Sequence, residues 1–321
     1  MENIANMLAK YADIYGYYQL SILNYQLNHE IGVFYILLQH TMNNLAKRCI
    51  FAFTAMPVVA FILWFGDYTR WAFVLGLNAI ATYEWAKMVS AAYPGAVAAS
   101  RARLIAPLHS VCAVALTMPW LAGECNIMLP VLAAVVLLYI TIAFAYVDVK
   151  SLFPWLVLQL AGPLYIGLWG GMCLKLFEPG QGMEECSKFI VVMTTLWACD
   201  SAAYFAGKYL GKRKFSPQIS PNKTWAGAVG GTLFAIFWFW IWTRTGFGYT
   251  VFDISFAATV GLAFVISVTG QLGDLLISAL KRWSGIKDSG GIFPGHGGVL
   301  DRADSFYLAV PIAAIIIPMI G

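Results

Sequence analysis

Apolar residues run along this chain in blocks of about 20, separated by short polar stretches, and blocks of that length predict helices that cross a hydrocarbon core of about 30 Å. Nine spans are expected, near residues 49–65, 71–90, 104–122, 127–147, 152–174, 188–207, 224–244, 253–273 and 305–320. The expected fold class is therefore an all-α polytopic membrane protein. Residues 1–46 are less apolar, rich in tyrosine and poor in charge, and are expected to form an interfacial segment before one membrane-embedded domain over 47–321. The longest and most polar loops fall at 208–223 and 274–304, so function is sought there first.

Composition removes the soluble alternatives. The chain is 60% hydrophobic and 11% charged, against about 25% charged in a soluble domain. The formal net charge of +4 says little by itself, but its distribution is informative. If the N-terminus is inside, only Arg70, Lys175, Lys188 and Arg244 of the 20 Lys and Arg fall outside. That bias predicts an inside N-terminus and, with an odd number of spans, an outside C-terminus. The opening MENIANMLAKYADIYGYY lacks the basic, apolar and small-residue regions of a signal peptide and is expected to stay on the mature chain. Cys49, Cys112, Cys125, Cys173, Cys186 and Cys199 form no C-x-x-C pair and read as small core residues, although Cys125 and Cys186 could both face outside. No nucleic-acid partner is expected.

The stretch 207–227, GKYLGKRKFSPQISPNKTWAG, carries Lys208, Lys212, Arg213, Lys214 and Lys223 with no acidic residue. Lys212 to Lys214 are accounted for by attraction to anionic headgroups. Lys223 differs, because it sits in Ser220-Pro221-Asn222-Lys223-Thr224. Proline sets the turn there and Thr224 is placed to cap the next helix, leaving amides for a phosphate.

The stretch 274–304 balances Lys281, Arg282, Lys287 and Arg302 against Asp274, Asp288, Asp301 and Asp304. On a helix, Asp274, Ser278 and Lys281 share a face, and Asp301 and Asp304 share another at the start of the last span. Converging helix ends would gather carboxylates, which suit Mg²⁺, and basic groups, which suit phosphate. Gly290, Gly291, Gly295, Gly297 and Gly298 allow either close backbone approach to a phosphate chain or simple loop flexibility. His296, with no second His or Cys nearby, reads as a phosphate contact or loop anchor rather than a zinc ligand. Two acids fall inside spans, Asp200 about 10 Å of helix from the inner end of the sixth and Glu84 near the inner end of the second. Each is expected to face a site or to pair with a neighbouring lysine.

The run from Ser278 to Asp304, SALKRWSGIKDSGGIFPGHGGVLDRAD, closely resembles the signature of the phosphatidate cytidylyltransferase, or CDP-diacylglycerol synthase, family. The upstream DSAAYFAG at 200–207 and SPNKTWAG at 220–227 resemble that family's other segments, in the same order. Earlier residues match only in being hydrophobic. The chain departs from the pattern at Ala226 and Ile277, where glutamates are usual, and at Ala303, where a larger apolar residue is usual, which marks a divergent member.

The resemblance implies that Asp274 and Asp301 ligate a metal centre of magnesium with a potassium ion beside it. It implies that Asp200, Ser220, Lys223, Thr224, Lys281, Arg282, Lys287, Asp288, His296, Arg302 and Asp304 line the nucleotide and phosphate site within 200–305, and that the protein is a homodimer. The implied partners are CTP, phosphatidate or a related lipid phosphate, and membrane lipid. The implied reaction is transfer of the cytidylyl group of CTP to phosphatidate at the cytoplasmic face of a bacterial inner membrane. The alternatives are a CTP-dependent lipid kinase of the polyprenol or phytol type and an inactive membrane homologue. A transporter is disfavoured, because the charged candidates cluster on one side.

Overall fold

A computed structural model describes residues 57–93, 99–121, 125–182, 184–245, 252, 254–292 and 297–320. The chain divides into two units, Met1–Ala55 and Met56–Gly321, and the first, with the expected interfacial segment, lies outside the described residues. In the second unit a helical stretch over 57–65 ends at Gly66, whose φ of 134° suits glycine alone. There follow α1 (Asp67–Ala92), α2 (Ala99–Leu121), α3 (Met128–Tyr146), α4 (Val149–Leu174) and α5 (Ser187–Leu210). Next come strands β1 (Lys214–Ser216) and β2 (Ser220–Thr224), then α6 (Trp225–Thr245), α7 (Phe256–Trp283), the short α8 (Val299–Arg302) and α9 (Phe306–Ile320).

The protein is an all-α polytopic membrane protein. Each expected span from the second onward coincides with a helix, but only α3 to α7, five helices, are both long and apolar enough to cross a membrane on those grounds. The expected count of nine is thus not reproduced among the described residues. In α1, Asp67, Arg70, Glu84 and Lys87 interrupt the apolar run, and α9 is only 15 residues long.

Small residues set the packing. Lipid offers no hydrophobic drive between helices, so close van der Waals fit must supply it. On α4, Gly162 lies against Trp85 of α1, and Gly167 against Leu116 of α2. Between α5 and α6, Gly207 meets Gly227, and Gly231 lies against Cys199. Pro154 and Pro163 are accommodated inside α4, where neighbouring helices can absorb the lost backbone bond. The central core joins α1, α4, α5, α7 and α9 through Trp85, Trp169, Leu196, Ile277 and Tyr307.

Two boundaries depart from expectation and shape the site. The stretch from 274 is not loop at its start, because α7 continues to Trp283 and carries Asp274, Ser278, Lys281 and Arg282 out on a rigid helix. Asp301 and Asp304 do not share a helix. Asp301 lies in α8, whereas Asp304 lies in the turn between α8 and α9. The preceding loop is also more ordered than a proline turn, for β1 and β2 form an antiparallel hairpin with Lys214 opposite Thr224 and Ser216 opposite Ser220. As its position predicts, Thr224 caps α6, its Oγ1 accepting from the Gly227 N–H at 3.1 Å.

Candidate active site

The hairpin, the end of α7 and the α8–α9 turn bring three separated polar segments together. Lys223 of β2 places its Nζ 2.6 Å from Asp274 Oδ2, both side chains 28% exposed. Ser278 donates to Asp274 Oδ1 at 3.1 Å, so the i, i+4 face expected on this helix is real. Lys281, the third member expected on it, reaches instead to Asp301 Oδ1, also at 2.6 Å. Arg282 is exposed and donates to the Ile219 carbonyl of the hairpin at 3.4 Å.

Asp200 on α5 is exposed and feels both Asp274 and Lys223. Asp304 feels Asp274, Asp200 and Lys281. Burial first, and then the Asp274 and Asp200 carboxylates, push the Asp304 carboxyl well above its ordinary value, against the pull of the Ser305 amide and Lys281. Counting Asp301, four carboxyl groups share two ammonium groups, and a cation would relieve the repulsion that raises Asp304. Ser220 is half-buried in β2, while Lys287, Asp288 and Arg302 are exposed. His296 lies outside the described residues.

Asp301 has a different environment. Its Oδ2 accepts from the Ser289 N–H at 2.7 Å, the Ser289 hydroxyl at 2.9 Å and the Gly298 N–H at 3.0 Å. Burial raises the Asp301 carboxyl, but the hydrogen bonds from Lys281, Gly298 and Ser289 outweigh it and hold the group below its ordinary value. Gly297 adopts φ 81° beside this carboxylate, a conformation that favours glycine.

Glu84 does not pair with a lysine. Its carboxylate accepts from the Val299 and Leu300 N–H groups at 3.2 and 2.9 Å and from the Ser289 hydroxyl at 3.0 Å. A Cβ at Gly290 or Gly298 would collide with it, which explains why glycine stands at both positions. These bonds revise the reading of the glycine-rich loop. The amides of Ser289, Gly298, Val299 and Leu300 are taken by protein carboxylates and are not open to a phosphate. Ser289 carried no signal in the sequence, whereas an acid within a span did mark Glu84.

The donor set fits a hard divalent cation of the magnesium kind. Among the described residues no three His, Cys, Asp or Glu side chains converge as a metal cage. Magnesium, however, is commonly held by one or two carboxylates with substrate phosphates and water completing the shell. Partly exposed Asp274 fits that role through Oδ2, the oxygen that Lys223 occupies. Asp301 fits it through Oδ1, the oxygen that Lys281 occupies.

Fold and site together define an integral membrane protein with a cluster of carboxyl and ammonium groups where two helix ends meet a hairpin. The chain belongs to the cytidylyltransferase family, whose model matches residues 46–320. It is similar to the phosphatidate cytidylyltransferase of Bacillus subtilis (strain 168), 42% identical over 143 residues, covering 44% of this chain and 52% of that protein. The Haemophilus influenzae protein of the same name is 43% identical over 122 residues, 38% of this chain and 42% of its own. That of Pseudomonas aeruginosa is 38% identical over 175 residues, 50% and 64% respectively. The matched region thus spans about half the length of these relatives.

Proposed function

We propose that the protein transfers the cytidylyl group of CTP to phosphatidate. A phosphatidate oxygen attacks the α-phosphorus, the bond to the bridging oxygen breaks, and CDP-diacylglycerol and pyrophosphate result. The observation that carries this reading is the Lys223–Asp274 contact, which draws the 220–224 hairpin strand onto the helix that opens the family signature, beside Asp200 and Asp304.

The nucleophile is already an anion, so no strong general base is required and positioning with charge neutralisation does the work. Lys223 and Lys281 neutralise phosphate oxygens at the centre, and exposed Arg282, Lys287 and Arg302 draw in the triphosphate and the lipid headgroup. Asp274 and Asp301 would hold magnesium, which when bound supplies Lewis-acid polarisation of the phosphoryl oxygens. With a cation on those two carboxylates, Lys223 and Lys281, which pair with them here, would be free to bind substrate phosphate. Ile277, one of the two departures that favour an inactive homologue, is fully buried in the core. That change alters packing rather than the face bearing Asp274 and Ser278.

The charge bias of the loops supports a cytoplasmic site, with the N-terminus inside and the C-terminus outside a bacterial inner membrane. The reading includes the homodimer implied by the family resemblance, which light scattering of the detergent-purified protein tests. For the reaction, purified protein is given magnesium, phosphatidate in mixed micelles and CTP radiolabelled at the α-phosphorus. Label in lipid with equimolar pyrophosphate is expected. Release of α-labelled CDP with no label in lipid identifies a kinase, and binding of CTP without turnover identifies an inactive homologue; either overturns the proposal.

A further inference from the structure

Glu84 is an acid in α1, far from the signature in sequence, and its carboxylate is almost completely buried at 2% exposure. A carboxylate in such surroundings is costly unless every lone pair is used. Here it is used on a single segment. Glu84 receives the first two amides of α8, from Val299 and Leu300, and the hydroxyl of Ser289 at the other end of the glycine-rich loop. It therefore ties both ends of that loop to α1.

Ser289 extends the tie. Its hydroxyl lies 3.0 Å from Glu84 Oε2 and 2.9 Å from Asp301 Oδ2, and its N–H donates to the same Asp301 oxygen. One hydroxyl proton serves two carboxylates, so the position of Glu84 bears directly on that of Asp301. The other Asp301 oxygen holds Lys281. A continuous path thus runs from Glu84 through Ser289 to Asp301 and Lys281, and the space around it is filled, since no Cβ fits at Gly290 or Gly298.

We infer that Glu84 is a positioning residue for the proposed phosphate site, holding Ser289 and the start of α8 so that Asp301 stays in place beside Lys281. The inference rests on the proposed cytidylyl transfer for its kinetic consequence but not for its structural one. Outer partners of this kind typically change activity about 10–100-fold when altered.

The test compares wild type, Glu84→Gln and Ser289→Ala as full-length protein in detergent. It measures melting, hydrogen exchange at residues 289 and 298–300, and kcat and KM for CTP. For Glu84→Gln the expected result is faster exchange at these amides, unchanged exchange in α5, and kcat lower by about 10–100-fold with KM within about twofold. Ser289→Ala adds no buried charge and is expected to lower kcat about 3–10-fold, a smaller loss than that range because the Glu84 bonds to α8 remain. Should Glu84→Gln not fold, Ser289→Ala alone decides. Unchanged loop exchange, or a lowered melting temperature with normal kcat per folded molecule, overturns the inference. Absence of product from wild type refutes the cytidylyl-transfer reading instead, and the exchange data still decide the role of Glu84.

Discussion

Two charged clusters in this molecule are built from similar parts and differ in how completely they are closed. Around Arg70 the guanidinium is fully buried, and its donors reach the Leu63, Glu178 and Gly182 carbonyls and the Asp67 carboxylate at 2.8 to 3.2 Å. Four of its five N–H donors are used. Around Asp274, Asp200 and Asp304 repel one another, their lysines are shared, and the principal ion pair is 28% exposed on each side. A closed cluster fastens segments together. An open one with surplus charge is free to change its pairing when a charged ligand arrives, as the proposed phosphate site requires.

The sharpest way to break this comparison is Asp274→Asn. The open cluster loses the carboxylate proposed to hold the cation, and transfer is expected to fall at least about 10³-fold, or about 4 kcal/mol of transition-state stabilisation. Melting should stay near wild type, and a near-normal turnover number would place Asp274 outside the reacting groups. Arg70→Ala should behave in the opposite way. Opening a buried, hydrogen-bonded cluster costs about 3 kcal/mol of stability, read as a lower thermal midpoint, while turnover per folded molecule stays within about twofold. A kinetic defect without a stability defect there would erase the distinction. The finest contrast lies within one basic stretch. Lys223→Ala is expected to lower kcat/KM about 10²-fold, as removal of one transition-state donor does, whereas exposed Lys212→Ala changes it by less than about twofold. A collapse in the Lys212 variant would enlarge the site to the whole stretch.

Much of the architecture was legible because lipid imposes a simple rule of long apolar runs, which α3 to α7 obey. The end of α7 was only partly legible, since Asp274, Ser278 and Lys281 read as a helical face inside a stretch bounded as loop, and helical backbone in fact runs on to Trp283. The pairing of Lys223 with Asp274 was invisible for another reason: each residue announces phosphate chemistry, but nothing local tells which carboxylate a lysine will meet. Asp301 and Asp304 read as one helical face, and the break at Ala303 separates them into different surroundings. Glu84 stood out as an expensive intramembrane charge, while its partners, backbone amides and a serine, leave no mark on hydropathy or charge.

The bonds from Glu84 to the signature segment span 205 to 216 positions of sequence. The half of the chain without a recognisable motif is therefore part of what the motif means. Grafted onto another bundle of helices, Ser278 to Asp304 would bring its acids and bases but leave its tether behind. Two chains with identical signatures can hold them at different angles if the second helix differs. Likeness over the motif alone is a weaker guide to turnover than likeness that also includes residue 84.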